Sequence, residues 1–248
     1  MEILSKASAA SLIHPTSALD LESIVASVSE PTAAAASSLA AYLVPPTSDD
    51  GGCGLPGKLR PEPYPLLDEL CAARAALVGP SDAAAWRLAE LQRLAQLRAV
   101  CAVVAAARGA DWCGVYQVAA PTPGAAAWGG SATAPSLQKL AYVGAPSRAL
   151  FPLTPEFAAG SNNATVGLSG YTVVIHDTEA LPKDAPYYVC DGKVRSEVCT
   201  PIWGAEGVLL GIMDCEAFAP RAFAAPERLS AILSACAQLG AAALLQQN

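Results

Sequence analysis

The chain has 248 residues, of which 53% are hydrophobic and 15% charged, and its formal net charge is −7. An apolar fraction this high excludes a wholly disordered chain. The 15 lysines and arginines form no cluster, which excludes the basic surface that nucleic-acid binding needs. The longest apolar run, 100–107, is much shorter than the roughly 20 residues of a membrane helix, and no targeting peptide is recognisable, so we expect a soluble cytoplasmic protein.

The eight cysteines of such a chain predict free thiols rather than a disulfide framework. No two of them form a CxxC pair, and the chain has only two histidines. Zinc sites are typically built from closely spaced cysteine and histidine pairs. We therefore expect no metal site.

The first part of the chain, residues 1–62, predicts an N-terminal extension that is partly helical or mobile, and a main domain is expected over 63–248. Weak helical periodicity covers 19–28, with Ser17 as the expected cap. An alanine and serine tract follows, and then proline, glycine and aspartate residues accumulate over 45–65. That composition is typical of a linker.

Two amphipathic helices are predicted next, because apolar residues recur at three- and four-residue intervals over 66–77 and 81–108. Ser81 is the expected N-cap of the second helix. After Gly109 the period changes to two, which predicts strands. The predicted strands cover 112–118, 140–143, 171–175, 194–201 and 207–216. A last helix over 226–245 completes the pattern, so we expect an α+β fold with helices packed on an antiparallel sheet.

Two further stretches, 121–136 and 151–165, contain several glycines, prolines and asparagines. These residues favour turns and interrupt regular elements. Both stretches are expected to be irregular.

The first segment with candidate chemistry lies on the predicted strand 112–118. Trp112, Gly114 and Tyr116 face one side of such a strand. Two aromatic side chains that flank a glycine predict a slot between aromatic walls. An ordinary aromatic core is the alternative.

The second segment surrounds Cys190, which precedes an Asp-Gly turn and is therefore expected on a loop. Lys193 and Arg195 lie nearby, and positive charge lowers the pKa of a thiol and favours the nucleophilic thiolate. Glu197 places a carboxylate at the start of an apolar strand. It is either a site residue or a solvated glutamate at a sheet edge.

The third segment ends the apolar strand 207–216. Asp214 and Glu216 share one face there, and Cys215 points to the other. Two carboxylates on one face suit the binding of a cation or a proton transfer. A polar strand terminus is the alternative.

Together these segments resemble a known family, the free methionine-(R)-sulfoxide reductases, which are GAF-domain enzymes. The resemblance covers roughly 80–248. It is carried by five segments in order: 111–116 (DWCGVY), 167–170 (GLSG), 190–197 (CDGKVRSE), 211–216 (GIMDCE) and 221–223 (RAF). It implies a GAF fold and the reduction of the free amino acid methionine sulfoxide.

The resemblance also assigns roles to individual residues. Cys190 would be the nucleophile, and its sulfenic acid would be resolved by a second thiol. Three carboxylates would hold the substrate ammonium and the sulfoxide oxygen: Glu197, Asp214 and Glu216. Trp112 and Tyr116 would wall the methylthio end. No bound cofactor is implied, reducing equivalents would come from a thioredoxin-like protein, and a homodimer stays open.

The sequence departs from the family at the usual resolving cysteine, where it has Ser169. The preceding stretch 157–165 also lacks a cysteine, and Glu216 replaces an aspartate. Cys199 shares a strand face with Glu197 and is the internal candidate for a resolving thiol. An external thiol is favoured, because a residue on a strand has little freedom to move.

The missing cysteine supports a second hypothesis from a different class. In it, the chain is a GAF-type module that binds or senses a small ligand without catalytic turnover. Cys190 and the three acids favour the enzyme, because a sensor does not need a loop thiol beside proton donors.

Overall fold

The computed structural model describes residues 1–17, 19–44, 63–79, 83–183, 185, 187 and 191–246. Within these ranges the chain forms an α+β fold, as predicted. The strands are β1 (Glu2–Leu4), β2 (Trp112–Ala119), β3 (Ser136–Val143), β4 (Leu150–Pro152), β5 (Thr172–Ile175), β6 (Ser196–Trp203) and β7 (Leu209–Ala217). The helices are α1 (Lys6–Ser11), α2 (Leu21–Ala26), α3 (Ala33–Ala40), α4 (Leu66–Val78), α5 (Ala83–Arg108), α6 (Pro155–Ala158), α7 (Asn162–Ser169), α8 (Pro226–Ala241) and α9 (Ala243–Gln246).

The strands form one sheet in the order β1-β5-β6-β7-β2-β3-β4, and all neighbours are antiparallel. Strands β6, β7 and β2 lie side by side at its centre. Strands β6 and β7 are consecutive in the sequence and carry the predicted acids, whereas β2 comes from much earlier in the chain and carries the predicted aromatic residues. The topology therefore makes these segments neighbours.

The two faces of the sheet carry different cores. On the helix face, α5 and α8 pack against buried residues such as Val115, Val198 and Met213. The opposite face has a smaller cluster that includes Tyr116 and Ile212. Full burial of each large apolar side chain contributes about 1.5–3 kcal/mol. On the face with the smaller cluster, buried polar side chains such as Glu197 and Asp214 lie among the apolar ones.

The described part of the predicted N-terminal extension packs on the rest of the chain. Strand β1 forms one edge of the sheet and pairs with β5, and the Gln238 side chain donates a hydrogen bond to the Leu19 carbonyl at 2.8 Å. The Tyr42 hydroxyl donates to the Lys139 carbonyl at 3.1 Å. The predicted linker over 45–62 lies outside the described residues, and the domain boundary after residue 62 stays a prediction.

Several local elements differ from the sequence prediction because short polar caps define them. The alanine and serine tract forms helix α3, and Thr32 caps it. Asp20, not Ser17, caps α2. The stretch 151–165 is not irregular: it contains the end of β4, all of α6 and the start of α7, and side chains cap both helices. Helices of four to eight residues are too short to show a clear period. The proposed cap Ser81 lies outside the described ranges.

Strands β2 and β7 approach each other closely at Gly211. A Cβ atom at this position would overlap the carbonyl group of Tyr116. The absence of a side chain there fixes the spacing of the two strands beside the predicted site.

Across the described ranges, no helix is long and apolar enough to cross a membrane.

Candidate functional site

The sheet register brings the predicted acids and aromatic residues together on one face. Glu216 lies directly opposite Glu197 on β6 and Trp112 on β2. One step along the sheet, Asp214 lies opposite Cys199 and Gly114. Residues that are directly opposite in adjacent strands share a face, and their side chains are neighbours. The three acids therefore form a compact group, called the acid cluster below.

Glu197 is buried, with 3% of its surface exposed. Its Oε2 accepts a hydrogen bond from the Tyr187 hydroxyl at 2.5 Å, and its Oε1 accepts one from the Asn162 side-chain amide. Burial raises the pKa of Glu197, while hydrogen bonds from Asn162, Tyr187 and Asp214 act in the opposite direction. Glu197 is thus a buried carboxyl group whose two oxygens both face donors.

Asp214 is equally buried, at 2% exposure, but one of its oxygens is different. Among the described residues, no group forms a hydrogen bond to Asp214 Oδ1. Burial, followed by the charges of Glu197 and Glu216, raises the pKa of Asp214 well above its usual range, and a hydrogen bond from Asn163 opposes this. A buried carboxyl with a raised pKa and a free oxygen is suited to donate a proton to a ligand.

Glu216 completes the acid cluster and is partly buried. Burial raises its pKa to about 8, and the charges of Glu197 and Asp191 act in the same direction. Lys139 opposes the shift. Glu216 is therefore predicted to change its charge near neutral pH.

Lys139 is fully buried and interacts electrostatically with Asp214 and Glu216 of the acid cluster. Its ammonium group donates to the carbonyl oxygen of Ser147 at 2.9 Å and to its hydroxyl at 2.7 Å. The rings of Tyr42, Trp112 and Tyr142 lie 4.3–5.7 Å from its Nζ. Burial lowers the pKa of Lys139 well below its usual value, and the nearby acids oppose this. The aromatic rings and the serine replace a direct ion pair.

The aromatic wall differs from the predicted slot. The Trp112 ring lies over Gly114, in the space that a Cβ of Gly114 would need. Its indole N–H donates to the Ala145 carbonyl at 2.9 Å, and its ring stacks on Tyr142. The centroids of Trp112 and Tyr116 are 6.3 Å apart. The prediction of an open slot between the two side chains is therefore wrong: the glycine accommodates the indole, and the rings form a continuous wall.

The thiols separate into three groups. Cys190, the predicted nucleophile, lies outside the described residues. Cys199 is buried on the face of the acid cluster, where its Sγ donates to Asn163 Oδ1 at 3.5 Å. Burial raises the pKa of the Cys199 thiol well above its usual value. Cys113 and Cys215 contact each other on the helix face with a sulfur–sulfur distance of 3.6 Å. Cys199 is thus held as a neutral thiol.

Ser169, at the position of the family's resolving cysteine, ends helix α7 and is exposed. Its hydroxyl oxygen accepts a hydrogen bond from the Tyr171 backbone at 3.2 Å. Within the described residues, Ser169 forms no hydrogen bond with the acid cluster.

Sequence reasoning missed four polar residues at this site: Asn162, Asn163, Lys139 and Tyr187. The adjacent asparagines each support one acid, Glu197 and Asp214 respectively. The pair of asparagines after Gly160 and Ser161 was the only visible signal, and it also fits a turn. Within the ranges that the structure covers, no group of three histidine, cysteine or acidic residues is arranged to hold a metal ion.

The GAF domain family matches residues 92–244, which is more than half of the chain, and the chain belongs to this family. No curated protein matches the sequence.

The solved structures that this chain matches at low identity include both enzymes and other GAF domains. A type II free methionine-R-sulfoxide reductase from Thermoplasma acidophilum is 17% identical, with 61% of this chain and 96% of that chain covered and a TM-score of 0.41. The free methionine-R-sulfoxide reductase from Neisseria meningitidis, in complex with its substrate, is 19% identical, with 71% and 90% covered and a TM-score of 0.41. The GAF domain of an Acinetobacter phosphoenolpyruvate-protein phosphotransferase is 14% identical, with 62% and 82% covered and a TM-score of 0.42. The family assignment rests on the GAF family match.

Proposed function

We propose that this GAF-family chain reduces free L-methionine-(R)-sulfoxide, with Cys190 as the nucleophile. The observation that carries the proposal is the acid cluster: three carboxyl groups meet beside an aromatic wall, and Asp214 Oδ1 has no partner among the described residues. Burying like charges together is costly, so such a cluster is unusual in a merely structural role.

The substrate supplies groups that match this arrangement. Its ammonium group is the cation that an ionised carboxylate of the cluster would hold. Its sulfoxide oxygen needs a proton before it can be lost from sulfur. Asp214, with a raised pKa and a free oxygen, supplies a proton donor. The rings of Trp112 and Tyr116 provide the apolar contact for the methylthio group.

The proposed chemistry moves one oxygen atom. The Cys190 thiolate attacks the sulfoxide sulfur, and the S–O bond breaks as the oxygen takes up two protons and leaves as water. Water then attacks Cys190 sulfur, which releases methionine and leaves a sulfenic acid. A second thiol condenses with the sulfenic acid to form a disulfide and water, and a third thiol reduces that disulfide. Overall, two thiols are oxidised and one sulfoxide is reduced.

The recycling thiol is proposed to come from outside the chain. Ser169 cannot form a disulfide, and Cys199 is buried, hydrogen-bonded to Asn163 and held protonated. The thiolate is the form that attacks a sulfenic acid efficiently. We therefore propose a cytoplasmic thioredoxin-like reductant.

Coupled turnover tests the proposal directly. Purified protein is incubated with thioredoxin, thioredoxin reductase and NADPH, and NADPH oxidation is followed after addition of free methionine-(R)-sulfoxide. The expected result is stoichiometric conversion to methionine, with no turnover of the (S) epimer or of the peptide-bound sulfoxide. Absence of turnover with several thiol reductants contradicts the proposal.

Ser169 favours a second candidate function, a GAF module that binds a small ammonium-bearing ligand without turnover. Calorimetry separates the two functions. A sensor binds methionine sulfoxide or a related amino acid and releases it unchanged, whereas the enzyme converts the (R) epimer.

A further inference from the structure

Tyr187 contacts the acid cluster through its hydroxyl group. In the sequence it lies three positions before Cys190. Its ring packs against the apolar residues around the site, and its hydroxyl donates to Glu197 Oε2 at 2.5 Å. From helix α7, the Asn162 amide donates to Glu197 Oε1. Both oxygens of one buried carboxyl group therefore accept hydrogen bonds from neutral donors.

This pattern favours the ionised form of Glu197. An ionised carboxylate only accepts hydrogen bonds, whereas a protonated one must also donate. The amide N–H and the phenol O–H are aimed at the two oxygens, so they satisfy the ionised carboxylate. A protonated carboxyl group would have no good acceptor for its own proton there. Burial, followed by the charge of Glu197, raises the pKa of Tyr187 well above its usual value, so the phenol keeps its proton and stays a donor.

The groups on the neighbouring strands decide which carboxyl group of the acid cluster carries the negative charge. Strand β7 brings Asp214 and Glu216 beside it, and Cys199 lies two residues along its own strand. On β5 the directly opposite residue is the apolar Ile175. On β3, Lys139 attracts Asp214 and Glu216. Since like charges disfavour a second ionisation, the donors at Glu197 place the negative charge there, and the proton stays on a neighbour.

We propose that Tyr187 is a positioning residue: with Asn162, its hydroxyl holds Glu197 as an oriented carboxylate that receives the ammonium group of the amino-acid substrate. The nature of this ligand rests on the proposed function. The effect of the hydroxyl on the ionisation of Glu197 does not.

Carboxyl ¹³C NMR titration tests the ionisation without any assay of activity. The Glu197 resonance is assigned with Glu197→Gln. Tyr187→Phe removes only the hydroxyl, and loss of a hydrogen bond to a charged group is expected to raise the Glu197 midpoint by about one pH unit. Tyr171→Phe is the matched control, because Tyr171 is exposed, and it should leave the midpoint unchanged. An unchanged or lowered midpoint in Tyr187→Phe overturns the proposal.

Asn162→Leu removes the second donor and provides an independent variant if Tyr187→Phe does not fold. It should raise the Glu197 midpoint in the same direction. An unchanged midpoint in this variant also contradicts the proposal, because the two donors are expected to act on the same carboxylate.

Kinetics then separates positioning from chemistry. Tyr187→Phe is expected to raise KM for free methionine-(R)-sulfoxide about tenfold, with kcat changed less than about twofold. A fall in kcat at constant KM would show a role in the chemical step and overturn the assignment. If the wild-type protein shows no turnover, the proposed function fails, and the NMR titration still decides whether Tyr187 and Asn162 hold Glu197 ionised.

Discussion

The two faces of strand β7 differ sharply in polarity, although their residues alternate along the same strand. Asp214 and Glu216 lie on one face, where Glu197 and hydrogen-bond donors surround them. Met213 and Cys215, on the other face, are fully buried in the apolar core. Adjacent residues of one strand thus have unrelated chemistry, because the layer that packs against each face sets the local polarity.

The largest expected effect distinguishes the proposed nucleophile Cys190 from Cys215 on the apolar face of β7. Cys190→Ser is expected to abolish turnover of free methionine-(R)-sulfoxide, because serine is a far weaker nucleophile at neutral pH. Cys215→Ala on the helix face should keep its turnover and lose only about 1 kcal/mol of unfolding free energy. NADPH-coupled rates and urea unfolding measure the two effects. Substantial turnover in Cys190→Ser would show that another group reacts.

The acids provide the next largest effect. Asp214→Asn keeps the shape of the side chain but cannot supply an acidic proton, and kcat is expected to fall about 10²- to 10⁴-fold. Met213→Leu, one residue away on the other face, should keep its rate within about twofold. Steady-state rates of the two variants are compared with the wild type. Equal rates in Asp214→Asn and the wild type would remove Asp214 from the chemistry.

Glu216 predicts a pH dependence of stability. Its pKa is about 8 in the folded protein against an ordinary value of 4.5, so between these pH values the folded state binds more protons than the unfolded state. Its contribution to stability therefore falls as pH rises from about 5 to about 8. Glu216→Gln should remove at least about 1 kcal/mol of this decline, as measured by urea unfolding at the two pH values. A steeper decline in the variant would contradict the sign of the shift.

Cys199 is expected to give the smallest effect. It faces the acid cluster but is buried and held as a thiol, so Cys199→Ser should change the turnover rate by less than about twofold. Peptide mapping after one equivalent of substrate, without reductant, should find a sulfenic acid on Cys190. A stoichiometric disulfide between Cys190 and Cys199 would show internal recycling instead.

Periodicity predicted most of the long elements, but it placed the start of strand β3 at residue 140 instead of Ser136. The buried residues of helix α5 recur at three- and four-residue intervals, so its type and its inward face could be derived from the sequence. Strands β2 and β7 are buried on both faces, so the sequence could predict their type but not which face meets which layer. The shared face of Asp214 and Glu216 follows from strand alternation alone. The contact of these residues with Glu197 also requires the register of the neighbouring strands β6 and β7, which alternation alone does not give.

The remaining site residues lie on short elements or beyond any local signal. Asn162 and Asn163 begin a helix of eight residues, which the pattern of turn-forming residues concealed. Lys139 lies within a strand pattern in which a lysine ordinarily predicts exposure. Three aromatic rings, two of them from distant parts of the chain, and hydrogen bonds to Ser147 explain its burial. The prediction of a slot beside Gly114 was wrong because the sequence does not show the rotamer of Trp112, which decides whether that space is open.

The close approach at Gly211 also limits how this protein can vary. Every amino-acid substitution of a glycine adds a side-chain carbon, and at this position that atom would overlap the Tyr116 carbonyl. At Gly124, Gly160 and Gly192 the same atom would meet nothing within 4 Å. A library of random variants selected for folding should therefore lose all replacements at 211 and keep many at the other three positions. The glycine positions that tolerate no substitution would then mark where two strands approach each other closely.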